Sequence, residues 1–151
     1  MSEPKRLQDF LQWRPPELEE QIGKGLMYRR SKVLVYGKYK SMKSMLIKNM
    51  CLDLSRGDRW VGFPTDPKGT SVFYLQLEIP EGLLHRRVTQ IVGDNVGTKK
   101  DLIFWTVHSL KLDVPQGLTQ LKEKLIIFKP EVLVIDPLYK VLSVDMSDNH
   151  A

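Results

Sequence analysis

Apolar residues along this chain fall into four short continuous runs, separated by longer stretches in which they recur every three or four positions. The runs are KVLVYG from Lys32, SVFYLQLE from Ser71, DLIFWTV from Asp101 and EVLVIDP from Glu131. Each has the length of a strand and is apolar at consecutive positions, the pattern of a parallel strand covered on both faces. The stretches between them have helical periodicity. SMLIKNMCLDLSRG spaces Met45, Leu46, Met50, Leu52 and Leu54 among polar residues and closes on Gly57, and EGLLHRRVTQIVG gathers Leu83, Leu84, Val88, Ile91 and Val92 and closes on Gly93. VPQGLTQLKEKLIIF opens on Pro115 and carries Leu118, Leu121, Leu125 and Phe128 one turn apart. Proline at the first helical position and glycine just past the last one punctuate helices for steric reasons. Four strands alternating with three helices predict an α/β domain with a parallel sheet.

The remaining segments read differently. Residues 1–30 contain WRPPELEEQIGKGL, where two prolines stop regular structure and ELEEQI allows at most a short helix, so this part is expected to be a lead-in arm. WVGFPTDPKGT and DNVGTKK are expected turns, and LYKVLSVDMSDNHA after the last strand is polar and irregular. The domain is therefore expected over residues 31–151.

Composition adds constraints. A chain of 151 residues, 42% apolar and 27% charged, can bury one core and is not of disordered type. No run is long enough to span a bilayer, and MSEPKRLQDF lacks the apolar centre of a signal peptide, so the expectation is a cytoplasmic protein with no membrane partner. The single cysteine, Cys51, forms no internal disulfide, and His85, His108 and His150 lack metal-ligand spacing. Against 18 acids stand 23 Lys and Arg, a net charge of +5. Arg29, Arg30, Lys32, Lys38, Lys40, Lys43 and Lys48 fall in a stretch without any acid, which predicts a local anion site.

GKYKSMKS, residues 37–44, lies between the first expected strand and the first expected helix. A phosphate-binding loop at a helix N-terminus needs glycine for a sharp turn, lysine to reach β- and γ-phosphates, and a hydroxyl for magnesium. Gly37, Lys43 and Ser44 stand at that spacing, with Lys38, Tyr39, Lys40, Ser41 and Met42 completing the loop. Taken by itself the stretch also reads as a basic surface turn. Two acids add weight to the phosphate reading. Asp136 ends the run VLVID and Glu78 ends SVFYLQLE, which puts both at the C-terminal edge of the expected sheet, where ligands of open parallel sheets bind. Each has a plainer role as well: Asp136 before Pro137 suits a turn, and Glu78 suits the cap of the next helix.

GKYKSMKS with its helix, VFYLQLEIPEGLLHRRV and VLVIDPLYKVLSVDMSDN together resemble the RecA-like ATPases, in particular the branch of plasmid RepA-type and DnaB-type hexameric helicases. The resemblance covers about residues 20–150 and implies a three-layer α/β P-loop NTPase fold with a mostly parallel sheet. It implies ATP and Mg2+ as cofactors, Gly37–Ser44 as the Walker A loop, Lys43 on the phosphates, Ser44 on the metal, Asp136 as the Walker B acid and Glu78 polarising the attacking water. It further implies single-stranded DNA as a partner and a hexamer-like homo-oligomeric ring.

Two features depart from that pattern. Met42 replaces a glycine, and keeping the usual loop backbone there requires positive φ at a cost of about 1–3 kcal/mol. The family continues with further strands, one lying between the Walker A and Walker B strands. The chain therefore reads as the N-terminal part of a longer protein, a RecA-like domain incomplete at its C-terminus, marginal alone and weak in hydrolysis. The leading expectation is an ATPase module of a DNA-processing helicase or loader. Its alternative is a nucleotide-binding assembly or regulatory protein with little turnover, and a small-molecule kinase comes third. Arg86, Arg87, Lys99 and Lys100 are candidate contacts to nucleic-acid phosphates, and Trp13 and Trp60 to bases; Trp105, inside an expected strand, reads as core, and Met45, Met50 and Cys51 as packing.

Overall fold

The computed structural model describes residues 3–143. A short helix α1 (Leu7–Gln12) precedes an antiparallel hairpin of β1 (Glu20–Ile22) and β2 (Met27–Tyr28). Helix α2 (Lys43–Arg56), strand β3 (Val72–Gln76), helix α3 (Glu81–Val92), strand β4 (Leu102–Thr106), helix α4 (Pro115–Phe128) and strand β5 (Val132–Asp136) follow, with a 3-10 turn at Leu138–Val141. The three later strands form a parallel sheet in the order β4-β3-β5, in which Gln76 stands opposite both Thr106 and Asp136.

The central position of β3 explains its continuous apolar run, since all five of its residues are buried. Val72 and Tyr74 point to one face, where Cys51 and Leu54 of α2 cover them together with Phe104 and Val134 of the flanking strands. Phe73 and Leu75 point to the other, against Leu121 and Leu125 of α4, Leu110, Trp105 and Ile135. Phe73 and Trp105 meet edge-on with ring centroids 6.0 Å apart, so Trp105 belongs to the core. Helices therefore lie on both faces of a mixed α/β domain. Their ends follow the sequence signals: Pro115 opens α4, and Gly57 closes α2 at φ 70°, with Asp58 N–H donating to Asp53 O at 2.9 Å.

Two expectations are corrected. KVLVYG forms no strand: residues 31–37 are irregular, and Val33, Leu34, Val35 and Tyr36 are 57%, 68%, 44% and 87% exposed. An apolar run becomes a strand only where a neighbouring backbone is placed to pair with it, and among the described residues β5 pairs with β3 alone. The parallel sheet accordingly has three strands rather than the four expected. The second correction concerns ELEEQI, which contributes β1 instead of a helix, while the short helix lies earlier, at α1. Lys24 and Gly25 take positive φ in the hairpin turn, and Gly23 N–H donates to Pro64 O at 2.8 Å. That reversal sends Ile22 and Met27 into the core beside Leu54 and Tyr74, a burial that outweighs local helix preference. Residues 20–28 thus pack with the domain, whereas α1 has no buried residue.

At the opposite edge of the sheet from Asp136, Glu131 ties several segments together. It accepts hydrogen bonds from Lys100 Nζ at 2.7 Å, Arg29 Nη2 at 2.8 Å and Ser71 N–H at 2.9 Å, and Arg29 also pairs with Glu19 at 2.8 Å. Burial works to raise the Glu131 pKa, but the Lys100 hydrogen bond, the Ser71 backbone N–H and the Lys100 charge outweigh it and hold the carboxyl below its ordinary value. A carboxylate depressed in the folded state stabilises above its unfolded pKa and loses that contribution as pH falls through the folded one. Glu131→Gln is therefore expected to lower the urea midpoint at neutral pH, with the gap from wild type closing as the pH falls below the carboxylate range. Gly57→Ala is expected to destabilise by about 1–3 kcal/mol through its left-handed backbone. A Cβ there would also stand 2.7 Å from Pro67 O and 2.8 Å from Asp66 O, and chemical unfolding reads the sum.

Candidate functional site

The N-terminus of α2 sits at the C-terminal edge of the sheet because a side-chain bond joins the two. Ser44 Oγ donates to Asp136 Oδ1 at 3.1 Å, linking the second residue of the helix to the last residue of β5. The structure thus brings together two of the residues singled out from sequence, 92 positions apart. Leu77 N–H donates to Asp136 O at 3.0 Å, so the chain leaving β3 stays beside β5 for one more residue. Glu78 comes next, at the same edge. Its turn is held by the buried Gln76 side chain, which accepts from Glu78 N–H and from Ile79 N–H and donates to Ile79 O. The Glu78 carboxylate itself is exposed, and among the described residues it makes no hydrogen bond or ion pair.

Residues 37–42 form the loop into α2. Lys43 folds back over it, its ammonium donating to Gly37 O at 2.9 Å, Lys38 O at 2.8 Å and Ser41 Oγ at 3.1 Å. Met42 adopts φ 61°, ψ 19°, the positive φ anticipated for a residue in the place of glycine. Its carbonyl accepts from Met45 N–H at 3.1 Å and Leu46 N–H at 3.0 Å, so the left-handed residue starts the helix. For a residue with a Cβ that conformation costs about 1–2 kcal/mol. The methionine side chain points away and is 66% exposed. Lys38, Tyr39, Lys40 and Ser41 are exposed around it.

Sequence reasoning missed a second group behind this edge. Lys48 lies one turn beyond Ser44 on α2, 3% exposed. Its ammonium donates to Tyr74 Oη at 3.0 Å and to Ser44 O at 3.4 Å, and stands 3.5 Å from Asp136 Oδ2. Tyr74, fully buried, donates its own hydroxyl to the same Asp136 oxygen. Burial lowers the Lys48 pKa, against the pull of Asp136, and burial together with the Asp136 charge raises that of Tyr74. Beneath them, burial pushes the Cys51 thiol up to about 12, which makes it a packing residue and a poor nucleophile. The available signal was a lysine one turn after the loop serine, on the apolar side of an amphipathic helix. It belongs to the basic cluster of residues 29–48 that predicts a local anion site, and the structure removes two members from that site: Lys48 and Arg29 are both paired with acids. Of the candidate nucleic-acid contacts, Lys100 pairs with Glu131 and Lys99 donates to Pro67 O at 2.9 Å, while Arg86 is exposed on α3.

A parallel sheet with helices on both faces, and a lysine-serine loop opening a helix against a strand-ending aspartate, define a P-loop-like α/β domain. The family follows from comparison: residues 2–151 match the AAA domain model, and the chain belongs to that family of ATP-binding ATPase modules. No curated protein and no solved structure matches it. Among the described residues no helix is long and apolar enough to cross a membrane.

Met42→Gly removes the left-handed penalty while adding freedom to the unfolded chain, so a net stabilisation of about 0.5–1 kcal/mol is expected. Urea unfolding of the two proteins measures it.

Proposed function

We propose that the edge formed by the 37–44 loop, Asp136 and Glu78 binds ATP with magnesium and supports its hydrolysis. The observation that carries this reading is the Ser44–Asp136 contact at 3.1 Å, which sets the hydroxyl and the carboxylate expected of a phosphate site side by side at a helix N-terminus. In this reading Gly37–Ser44 are a Walker A loop and Asp136 is the Walker B acid. Lys43 exchanges its loop oxygens for β- and γ-phosphate oxygens, and Glu78, free of partners among the described residues, orients the attacking water. Ser44 and Asp136 offer one neutral and one anionic oxygen, a hard donor set that suits magnesium, which keeps water and phosphate oxygens for its other positions. When bound, the ion neutralises charge on the transferring phosphoryl group. Helices on both faces of the sheet support a three-layer RecA-like arrangement, with residues 31–151 as the nucleotide-binding part.

The wider role is proposed from the resemblance to ring helicases: an ATPase module of a DNA-processing helicase or loader, working as a homo-oligomer on single-stranded DNA. Salt-dependent binding of single strands by the full chain, weakened by Arg86→Ala, tests it. A second reading is favoured by the loop itself. Met42 holds a left-handed backbone, and Lys43 is engaged by three loop oxygens, a combination that suits a nucleotide-binding regulatory subunit with slow turnover.

Lys43→Ala is expected to weaken ATP binding about ten- to hundredfold, the loss of a charge-assisted contact. Glu78→Gln is expected to leave the Kd within about twofold and cut hydrolysis about 100-fold or more, as for loss of a group that handles the water proton. Saturable binding with no hydrolysis for Glu78→Gln to abolish selects the regulatory reading. Absence of binding in the wild-type chain sinks both.

A further inference from the structure

A buried ammonium beside the aspartate of a phosphate site calls for an explanation, because the same helix position filled by an apolar residue would pack against the sheet at no desolvation cost. Lys48 occupies that position with 3% exposure. Its ammonium stands 3.5 Å from Asp136 Oδ2 and 3.0 Å from Tyr74 Oη, and lies 4.9 Å from the centre of the Tyr74 ring. Tyr74 bridges the two charges by donating to Asp136 Oδ2, and Ser44 donates to Oδ1. Both carboxylate oxygens are therefore engaged from within the protein, one of them by a cation.

We infer that Lys48 is a built-in counter-ion and positioning residue for Asp136: it holds the carboxylate toward Ser44 and partly discharges it, so that nucleotide binding depends only weakly on a divalent cation. The inference rests on the nucleotide reading above. Its physical basis is charge. A bare carboxylate at the phosphate end of the site repels ATP when no metal is present, and a lysine paired to it removes much of that repulsion at an unchanged position. The same pairing competes with a metal for Asp136. Both effects reduce the gain in ATP affinity on adding magnesium, so the sign of the outcome is the same for each. Lys43 does not supply this function, since it sits on the loop side, bonded to Gly37 O, Lys38 O and Ser41 Oγ.

The test is the ratio of ATP dissociation constants in EDTA and in magnesium, measured by calorimetry on the full chain. Wild type is expected to show a ratio of a few-fold. Lys48→Met, close in length and apolar, is expected to raise that ratio about tenfold or more, and adding Asp136→Asn to Lys48→Met to bring it back down. Tyr74→Phe, which removes the bridging hydroxyl but keeps the lysine, is expected to raise the ratio by a smaller factor, and it serves as the second probe if Lys48→Met does not fold. Equal ratios in wild type and Lys48→Met overturn the inference. Absence of ATP binding by wild type in both conditions refutes the nucleotide reading instead. The positioning role is then decided without nucleotide, by urea unfolding of Lys48→Met, Asp136→Asn and the double variant: coupled effects support it and additive effects overturn it.

Discussion

The Asp136 carboxylate is the point on which the arrangement of this domain turns. It ends β5, and its two oxygens receive Ser44 from the start of α2 and Tyr74 from the middle of the sheet, with the Lys48 ammonium alongside. A buried or half-buried carboxylate must be hydrogen-bonded or neutralised, since leaving it unpaired costs several kcal/mol. Satisfying it here fixes the height and rotation of α2 relative to the sheet, and with them the placement of the 37–42 loop. The loop's backbone meets that constraint at its far end, where Met42 takes the left-handed conformation while its carbonyl accepts the first helical bonds.

A second polar anchor, Glu131, works at the other edge of the sheet, where Lys100, Arg29 and the Ser71 backbone converge on it. Between the two anchors lie the apolar faces of β3. The division of labour is physical: burial on either side of β3 supplies most of the stabilisation but little direction, whereas the charged groups at the strand ends are directional and set register and orientation. Family membership makes the chain an ATP-binding module, and the edge where α2, β3 and β5 meet is the proposed place of its ligand.

Much of the candidate site could be read along the chain. The Lys-Ser ending of GKYKSMKS marked the start of α2, and the strand-ending Asp136 and Glu78 marked the sheet edge, because a strand or helix end is a local event with local signals. The positive φ at Met42 was likewise legible, since a loop that normally uses glycine there imposes its backbone on any substitute. The roles of Lys48, Tyr74 and Gln76 escaped notice for the opposite reason. Their roles arise from contacts with residues 26 and 62 positions away, or from a side chain folding onto the next turn, and local spacing, which puts Lys48 on the apolar side of its helix, does not name those partners.

Hydrophobic runs and periodicity marked, without help, the three helices and the three parallel strands, together with a fourth run that forms no strand. Each depends on the fit between side-chain period and backbone geometry, which is written in adjacent residues. Only the tertiary structure decided that KVLVYG stays outside the sheet, that residues 20–28 fold back as a hairpin into the core, and that Lys48 pairs with Asp136. Strand pairing, burial and charge pairing all require a second segment at a particular place in space. No single stretch of the chain contains that information.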